Sequence, residues 1–283
     1  IDRSRGLGDV YKRQDWGGEG YEWEIVGQAS SNFGFTNSLN QDGSRILIGG
    51  TGYSSNKGIV EVHQLSEGTW SKLGSSLIGT TSGDQFGKWA QISGNGNIIV
   101  VGAPEADESG TDRGYVKVYE WNSSSNTWDQ KGSTFIGETD SDKLGDRFGL
   151  SLSLNGLVLA ISSNTANSND GFVKVYEWDT GLLDWAQVGS TITGDTGSRF
   201  GTSVSLNSDG TSIVIGAFSN DDNGLDTGQT QIFVWDGYSW NPRGNNINGV
   251  TDYDYNGSDV RISNDGTRIV TASPQLIGNS NGN

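Results

Sequence analysis

Apolar and polar positions alternate along most of the chain, the mark of strands that bury one face. The stretch after Phe200 shows the pattern in full. Ser203-Val204-Ser205-Leu206 is followed by a turn at Asp209-Gly210, then Ile213-Val214-Ile215-Gly216, then a polar loop to Gly228. Thr230-Gln231-Ile232-Phe233-Val234-Trp235 comes next, and a short turn leads to Trp240. We call these strands A, B, C and D. Strand C recurs at residues 116–121 and 173–178. The A–B turns recur as Asp42-Gly43, Asn95-Gly96, Asn155-Gly156, Asp209-Gly210 and Asp265-Gly266. Such dipeptides between alternating strands predict two-residue hairpins with positive φ at both central positions. No stretch has a helical period.

The pattern repeats. A Trp is followed four residues later by Gly at Trp23/Gly27, Trp70/Gly74, Trp128/Gly132, Trp185/Gly189 and Trp240/Gly244, at spacings of 47, 58, 57 and 55 residues. A Phe-Gly pair follows the first four, at Phe33-Gly34, Phe86-Gly87, Phe148-Gly149 and Phe200-Gly201, and the fifth has Asn256-Gly257 beside Tyr255. On these landmarks the third copy is two residues shorter between its Phe-Gly pair and its A–B turn. Four antiparallel strands recurring every ~55 residues predict an all-β fold, a β-propeller of four-stranded blades. An open β-solenoid normally has a shorter period. The repeats run at about 22–69, 70–127, 128–184, 185–239 and 240–283, giving four complete blades with partial blades at both ends. The propeller is thus expected as a single partial domain over residues 15–283, a fragment of a longer protein.

Residues 1–14 are set apart from the fold. Ser4 to Gln14 reads like the translated end of a sequencing-library adapter, and nothing in the chain is Met. The whole chain of 283 residues carries 34 acidic and 18 basic side chains, a net charge of −16. That charge argues against nucleic acid and anionic membranes as partners. No apolar run approaches the ~20 residues that cross a bilayer as a helix. The absence of Cys removes disulfides and thiolate chemistry, and a single His, His63, argues against multi-His metal sites and His-based triads. His63 falls on strand C where the other copies have Tyr119, Tyr176 and Phe233, so it reads as a wedge-filling ring.

Residues 86–104 open on Phe86-Gly87 and close on Gly102-Ala103-Pro104. They resemble the FG-GAP repeat of integrin-α-type propellers. Looser copies are Gly49-Gly50, Ser162-Ser163, Gly216-Ala217-Phe218 and Ala272-Ser273-Pro274. Kelch propellers are similar at strands B to D. The resemblance implies an extracellular or cell-surface protein with a role in binding or adhesion. Many FG-GAP repeats hold calcium between strands A and B, but here that segment is only Asn207-Ser208-Asp209-Gly210 or its equivalent. Ca²⁺ takes 6–8 oxygen ligands. These Asp residues therefore read as turn formers, and the family's calcium sites do not carry over.

The connectivity puts the long B–C and D–A loops on one rim, the kind of place where binding residues concentrate. Sixteen carboxylates fall in these loops: Glu105, Asp107, Glu108, Asp112, Asp170, Asp221, Asp222 and Asp226 in B–C, and Asp84, Glu138, Asp140, Asp142, Asp146, Asp195, Asp252 and Asp254 in D–A. The bland reading is a solvated rim that keeps the fold soluble. The sharper one is a rim that meets a protein, a glycan or a cation. Asp107 and Asp112, and Asp221, Asp222 and Asp226, are the cation candidates, with calcium the ion to consider, since each group offers several oxygens in a short loop. Neither matches the EF-hand spacing. The recurring Trp residues read as packing rather than a sugar platform, and no carboxylate pair is anchored as glycosidase chemistry requires. Asn122-Ser123-Ser124 and Asn256-Gly257-Ser258 are glycosylation sequons. The sequence thus favours a non-enzymatic binding module acting through the acidic rim, with no catalytic residue assigned. A structural array that spaces other domains is the alternative, and a hydrolase or lyase on a propeller scaffold stands third.

Overall fold

The computed structural model describes residues 10–13 and 23–274. Two short strands, β1 (Val10–Arg13) and β2 (Trp23–Val26), come first. Blade 1 is β3 (Phe33–Leu39), β4 (Arg45–Gly50), β5 (Ile59–Ser66), β6 (Thr69–Lys72) and β7 (Leu77–Ile78). Blade 2 is β8 (Trp89–Ile92), β9 (Ile98–Ala103), β10 (Tyr115–Asn122), β11 (Thr127–Gln130) and β12 (Phe135–Ile136). Blade 3 is β13 (Leu150–Leu152), β14 (Val158–Ser163), β15 (Phe172–Asp179), β16 (Asp184–Gln187) and β17 (Ile192–Thr193). Blade 4 is β18 (Phe200–Leu206), β19 (Ser212–Ala217), β20 (Gln229–Trp235), β21 (Trp240–Pro242) and β22 (Ile247–Asn248). A final pair, β23 (Val260–Ile262) and β24 (Ile269–Thr271), is the A–B hairpin of a fifth blade. Each sheet runs A-B-C-D in antiparallel order. This is a partial β-propeller, as the repeat predicts. Two single turns, α1 (Tyr53–Asn56) and α2 (Ala166–Asn169), are the helical elements among the described residues, and each contains three left-handed residues. No helix among the described residues is long and apolar enough to cross a membrane.

Blades pack face to face. Leu47, Val60 and Val62 of blade 1 meet Phe86, Ile92, Ile99, Val101, Tyr115 and Trp128 of blade 2 in one apolar cluster. Strand B is covered on both sides, so all six residues of β9 and of β19 are buried. Continuous apolar runs such as Ile98-Ile99-Val100-Val101 follow from that double burial.

Strand D is broken, and the break explains the Trp–Gly motif. Its two halves pair with opposite ends of strand C, as β6 and β7 do with β5. Gly74, Gly132 and Gly189 sit at the break with φ of 76°, 77° and 73°. The next blade's Trp pair lies against each of them. A Cβ on Gly132 would stand 2.7 Å from Trp185, and one on Gly189 2.7 Å from Trp235. Each D-strand indole then donates back across the interface to the carbonyl just before that Gly. Trp128 Nε1 reaches Leu73 O (3.0 Å), Trp185 Nε1 reaches Lys131 O (2.9 Å) and Trp240 Nε1 reaches Val188 O (3.0 Å). The recurring Trp residues thus join blades, as the packing reading expects.

Four sequence expectations change. Trp23/Gly27 is not a copy of this motif. Val26-Gly27 pairs and packs as Ile78-Gly79 does, and Gly27 lies on Phe33 as Gly79 lies on Phe86. That offset accounts for the short first spacing of 47 residues. Second, residues 10–13, within the segment set apart, form β1. Val10 opposes Val26 as Ile59 opposes Ile78, so β1 takes the strand C slot beside β2. An unpaired strand edge accepts any extended segment. Third, the A–B turns are four-residue turns, with Gly43 N bonded to Asn40 O and Gly96 N to Ser93 O. Only the Gly has positive φ, because the preceding Asp or Asn turns its side chain onto the backbone two residues on. The reading of these Asp residues as turn formers stands. Hydrogen bonds from Ser44 and Thr211 hold the Asp42 and Asp209 carboxyls below the ordinary range.

The fourth concerns Phe148-Gly149. The residue before each landmark is left-handed: Asn32, Gln85, Lys143, Arg199 and Tyr255. The third member is followed by Leu144-Gly145. Leu144 N bonds Arg113 O as Phe86 N bonds Lys57 O and Phe200 N bonds Asp170 O. Leu144-Gly145 is therefore the third landmark, and blade 3 is longer, not shorter: twelve residues separate Leu144 from Gly156, against ten between Phe86 and Gly96. The extra length bulges, with Gly145 N and Gly149 O both bonded to Ser162. Phe148 is pushed out of the core, 37% exposed against 1% for Phe86.

Candidate functional site

The rim of B–C and D–A loops is one hydrogen-bonded band. Gln85 N donates to Asn56 O, Lys143 N to Asp112 O, Arg199 N to Asn169 O and Tyr255 N to Asp226 O. Gly79, Gly137, Gly194 and Gly249 donate to Gly58, Gly114, Gly171 and Gly228. Each B–C loop is thus zipped by main chain to the D–A loop that leads into the next blade. Loops held this way present side chains from fixed positions.

Most rim carboxylates serve that band. Asp142 accepts from Glu138 N, Thr139 N and Thr139 Oγ1 (2.6–2.8 Å), and Asp254 accepts likewise from Val250 and Thr251. Asp84 holds Thr81 N, while burial, with Glu108 and Asp107 nearby, pushes its carboxyl above the ordinary range. Asp170 caps Gly197 N, and Asp252 caps Leu225 N. Asp140 pairs with Arg113 at 2.9 Å, and Glu138 with Lys174. Glu105 bridges Lys88 and Lys143; burial alone would raise its carboxyl, but the two ammonium groups outweigh it and hold it below the usual range.

The cation candidates fall into two matching loops that do not converge. Asp107 Oδ1 accepts from Asp112 N (2.7 Å), and Asp221 Oδ1 from Asp226 N (2.6 Å). Asp222 accepts from Gln229 Nε2 at 2.9 Å, and Asp112 lies 3.4 Å from Lys143 Nζ. Asp112 and Asp226 are left-handed, at the position that Asn56 and Asn169 take in blades 1 and 3. Asn and Asp both suit that conformation. Among the described residues no group of three or more His, Asp or Glu is placed to hold a metal ion.

Composition hid what lies inside the acidic ring. Arg147 and Arg199 stand 5.3 and 5.8 Å from the Phe218 ring centre. Phe218 meets Tyr255 at 5.9 Å, and Tyr255 meets Tyr253 at 6.1 Å. Neither arginine has a carboxylate within 4 Å among the described residues, in a chain with a large excess of acid. Phe218 occupies the third position of the Gly-Ala-Pro match, and Arg199 and Tyr255 the left-handed position before the landmarks. The repeat itself could have pointed to them.

Below this mouth a well of about 230 Å³ runs down the axis, walled by strand A of every blade. Trp89 and Phe148 meet at 4.7 Å with planes 54° apart, and Phe35 lies 6.0 Å from Trp89. A belt of side chains follows, each satisfying an inner-edge N–H of the next blade. Ser38 Oγ accepts from Ile92 N, Gln91 Oε1 from Leu152 N, Ser151 Oγ from Leu206 N and Ser205 Oγ from Ile262 N. The fifth member is Arg261, which pairs with Asp259 and stands 5.6 Å from the Phe148 ring centre.

His63 fills its predicted strand C place, opposite Ile46 and Lys72. Its Nε2 lies 3.0 Å from Glu61 Oε2, and that bond above all holds the Glu61 carboxyl down at about 2.

Residues 192–233 match the FG-GAP repeat family. No curated protein matches the chain. Among solved structures the chain is similar to the hydrazine synthase of Kuenenia stuttgartiensis, with a TM-score of 0.55 and 14% identity over 89% of this chain and 71% of that one. It is similar to a protein of Lactobacillus plantarum, with a TM-score of 0.52 and 13% identity over 86% and 65%. TolB of Acinetobacter baumannii aligns at a TM-score of 0.45 and 13% identity over 82% of this chain, which spans about half (48%) of TolB. At these identities the likeness is one of propeller fold. FG-GAP repeats are typical of extracellular proteins and often serve adhesion or binding.

Proposed function

We propose that the chain is the propeller part of a secreted or cell-surface binding protein, non-enzymatic, that contacts a protein or glycan through the B–C/D–A rim. One observation carries this reading. The rim gathers Arg147, Arg199, Phe218, Tyr253 and Tyr255 at its inner edge, with no carboxylate among the described residues paired to either arginine. Arg and Tyr are residues on which binding energy concentrates. The FG-GAP match at 192–233 includes Arg199 and Phe218 and agrees with it. Most of the acidic side chains that the sequence offered as the contact surface are engaged in holding the loops.

The test is a panel of extracellular matrix proteins and glycans probed with the immobilised chain. Binding that disappears in Arg199→Ser and Phe218→Ser, and survives Asp42→Ser on the opposite rim, supports the proposal. Binding that ignores both rim changes sinks it. The spacer reading also has support, from the main-chain zipper between blades. It expects no ligand in the panel and an unfolding free energy that grows with blade number.

A further inference from the structure

The axial well carries a chemistry that the rim as a whole does not specify. Arg147 enters it from the D–A loop of blade 3, exposed and left-handed, with φ of 53°. A guanidinium stacked on a ring still presents its N–H edge in plane, where a carboxylate docks through two parallel bonds. Arg147 has the ring partner, Phe218, and no carboxylate partner among the described residues. The two acids beside the well are already engaged. Asp146 accepts from Trp89 Nε1 (3.1 Å) and lies 3.5 Å from Lys88 Nζ, and Asp259 takes Arg261 and Ser203 Oγ.

The walls suit a sugar ring. Trp89 and Phe148 give two apolar ring faces inclined at 54°, and a pyranose covers one of them with its C–H face. Next to them stand groups with hydrogen-bonding capacity to spare. Each belt hydroxyl accepts one backbone N–H, which leaves its own proton and a second lone pair. Gln91 uses its oxygen in the belt and keeps its NH₂ group for donation. Arg261, a pure donor at the belt's fifth position, is exposed and pairs with Asp259, so its charge is already balanced there. The well of about 230 Å³ has room for one sugar ring.

We propose that the axial well binds a carboxylate-bearing sugar, a hexuronate unit, with Arg147 clasping the carboxylate and the Trp89–Phe148 wall stacking the ring. The proposal rests on the rim being a binding face and narrows it to one ligand chemistry. Glucuronate and galacturonate end-units share that chemistry, so both are tested.

Calorimetric titration of the full chain with D-glucuronate, D-galacturonate and trigalacturonate supplies the test, with the methyl esters and sodium acetate as controls. We expect saturable binding of one uronate family, about tenfold weaker binding of its ester, and none of acetate. Arg147→Gln should weaken uronate binding at least about tenfold with an unchanged melting temperature. Arg147→Lys, which keeps the charge without the fork, should fall between. Trp89→Phe keeps an aromatic wall and separates stacking from misfolding; it should bind more weakly than wild type. Equal affinity for acid and ester, indifference to Arg147→Gln, or no uronate binding overturns the proposal. If a neutral glycan or a protein then binds and is lost in Phe218→Ser, the rim reading stands and only the uronate falls. If nothing binds at the rim, both fall.

Discussion

The segments that lead into blades 2 and 3 contain the same dipeptide and put it in different places. Phe86 is a buried anchor that joins blade 2 to blade 1, while Phe148 stands on the axial well against Trp89. The anchor's role in blade 3 passes to Leu144. Two additional residues make the difference, because they let the chain satisfy the landmark bonds first and bulge afterwards. A repeat can thus gain a site residue without losing a core one.

The widest separation between these two segments should come from truncating the rings. Phe86→Ala is expected to cost about 3–5 kcal/mol, as for a fully buried aromatic, and Phe148→Ala under about 1 kcal/mol. Urea unfolding of both variants checks this, and similar losses would erase the distinction. The same contrast applies to the glycines behind the Trp pairs. Gly132→Ala drives a Cβ into Trp185, whereas among the described residues nothing lies within 4 Å of a Cβ on Gly244. We expect at least about 2 kcal/mol for Gly132→Ala and about 1 kcal/mol for Gly244→Ala, the latter from positive φ alone. Their difference in thermal unfolding measures the blade interface itself.

Acid should loosen the tie between the two segments. Glu105 links Lys88 at the start of blade 2 to Lys143 at the start of blade 3. Its folded carboxyl is depressed, so its contribution is complete above the unfolded value and disappears as pH falls through the folded one. Melting curves across that acidic window should fall more gently in Glu105→Gln than in wild type. An identical slope would mean that the bridge adds nothing. The smallest effect is expected at the chain start. Removing residues 1–14 takes away β1, which among the described residues pairs only with β2, and a two-stranded pairing adds little stability. The melting temperature should move by no more than a degree or two, about the shift of a few tenths of a kcal/mol.

The fold was legible because its signals are local and repeated. Strand alternation, the Trp–Gly pairs and the turn dipeptides each report one strand or turn, and their repetition averages out the noise. The misreadings arose where a short motif was matched without its spacing. Leu144 lies sixteen residues after Trp128, as Phe86 does after Trp70, while Phe148 lies twenty after it. The candidate site was less legible. Counting acids treated charge as surface, yet Asp142 and Asp254 spend theirs on their own loops. The aromatic and arginine groups at the axis come from separate blades, and only closure of the arc brings Trp89, Arg147 and Arg261 around one well. No window of sequence contains that meeting.

The zipper between neighbouring loops is written in main-chain amides, so it places few demands on the identity of the residues it joins. Gln85, Lys143, Arg199 and Tyr255 make the same bonds with unrelated side chains. Lineages carrying such a repeat can therefore exchange or duplicate whole blades and alter the letters on the exposed face one at a time. Each change tries a new surface on an unchanged frame.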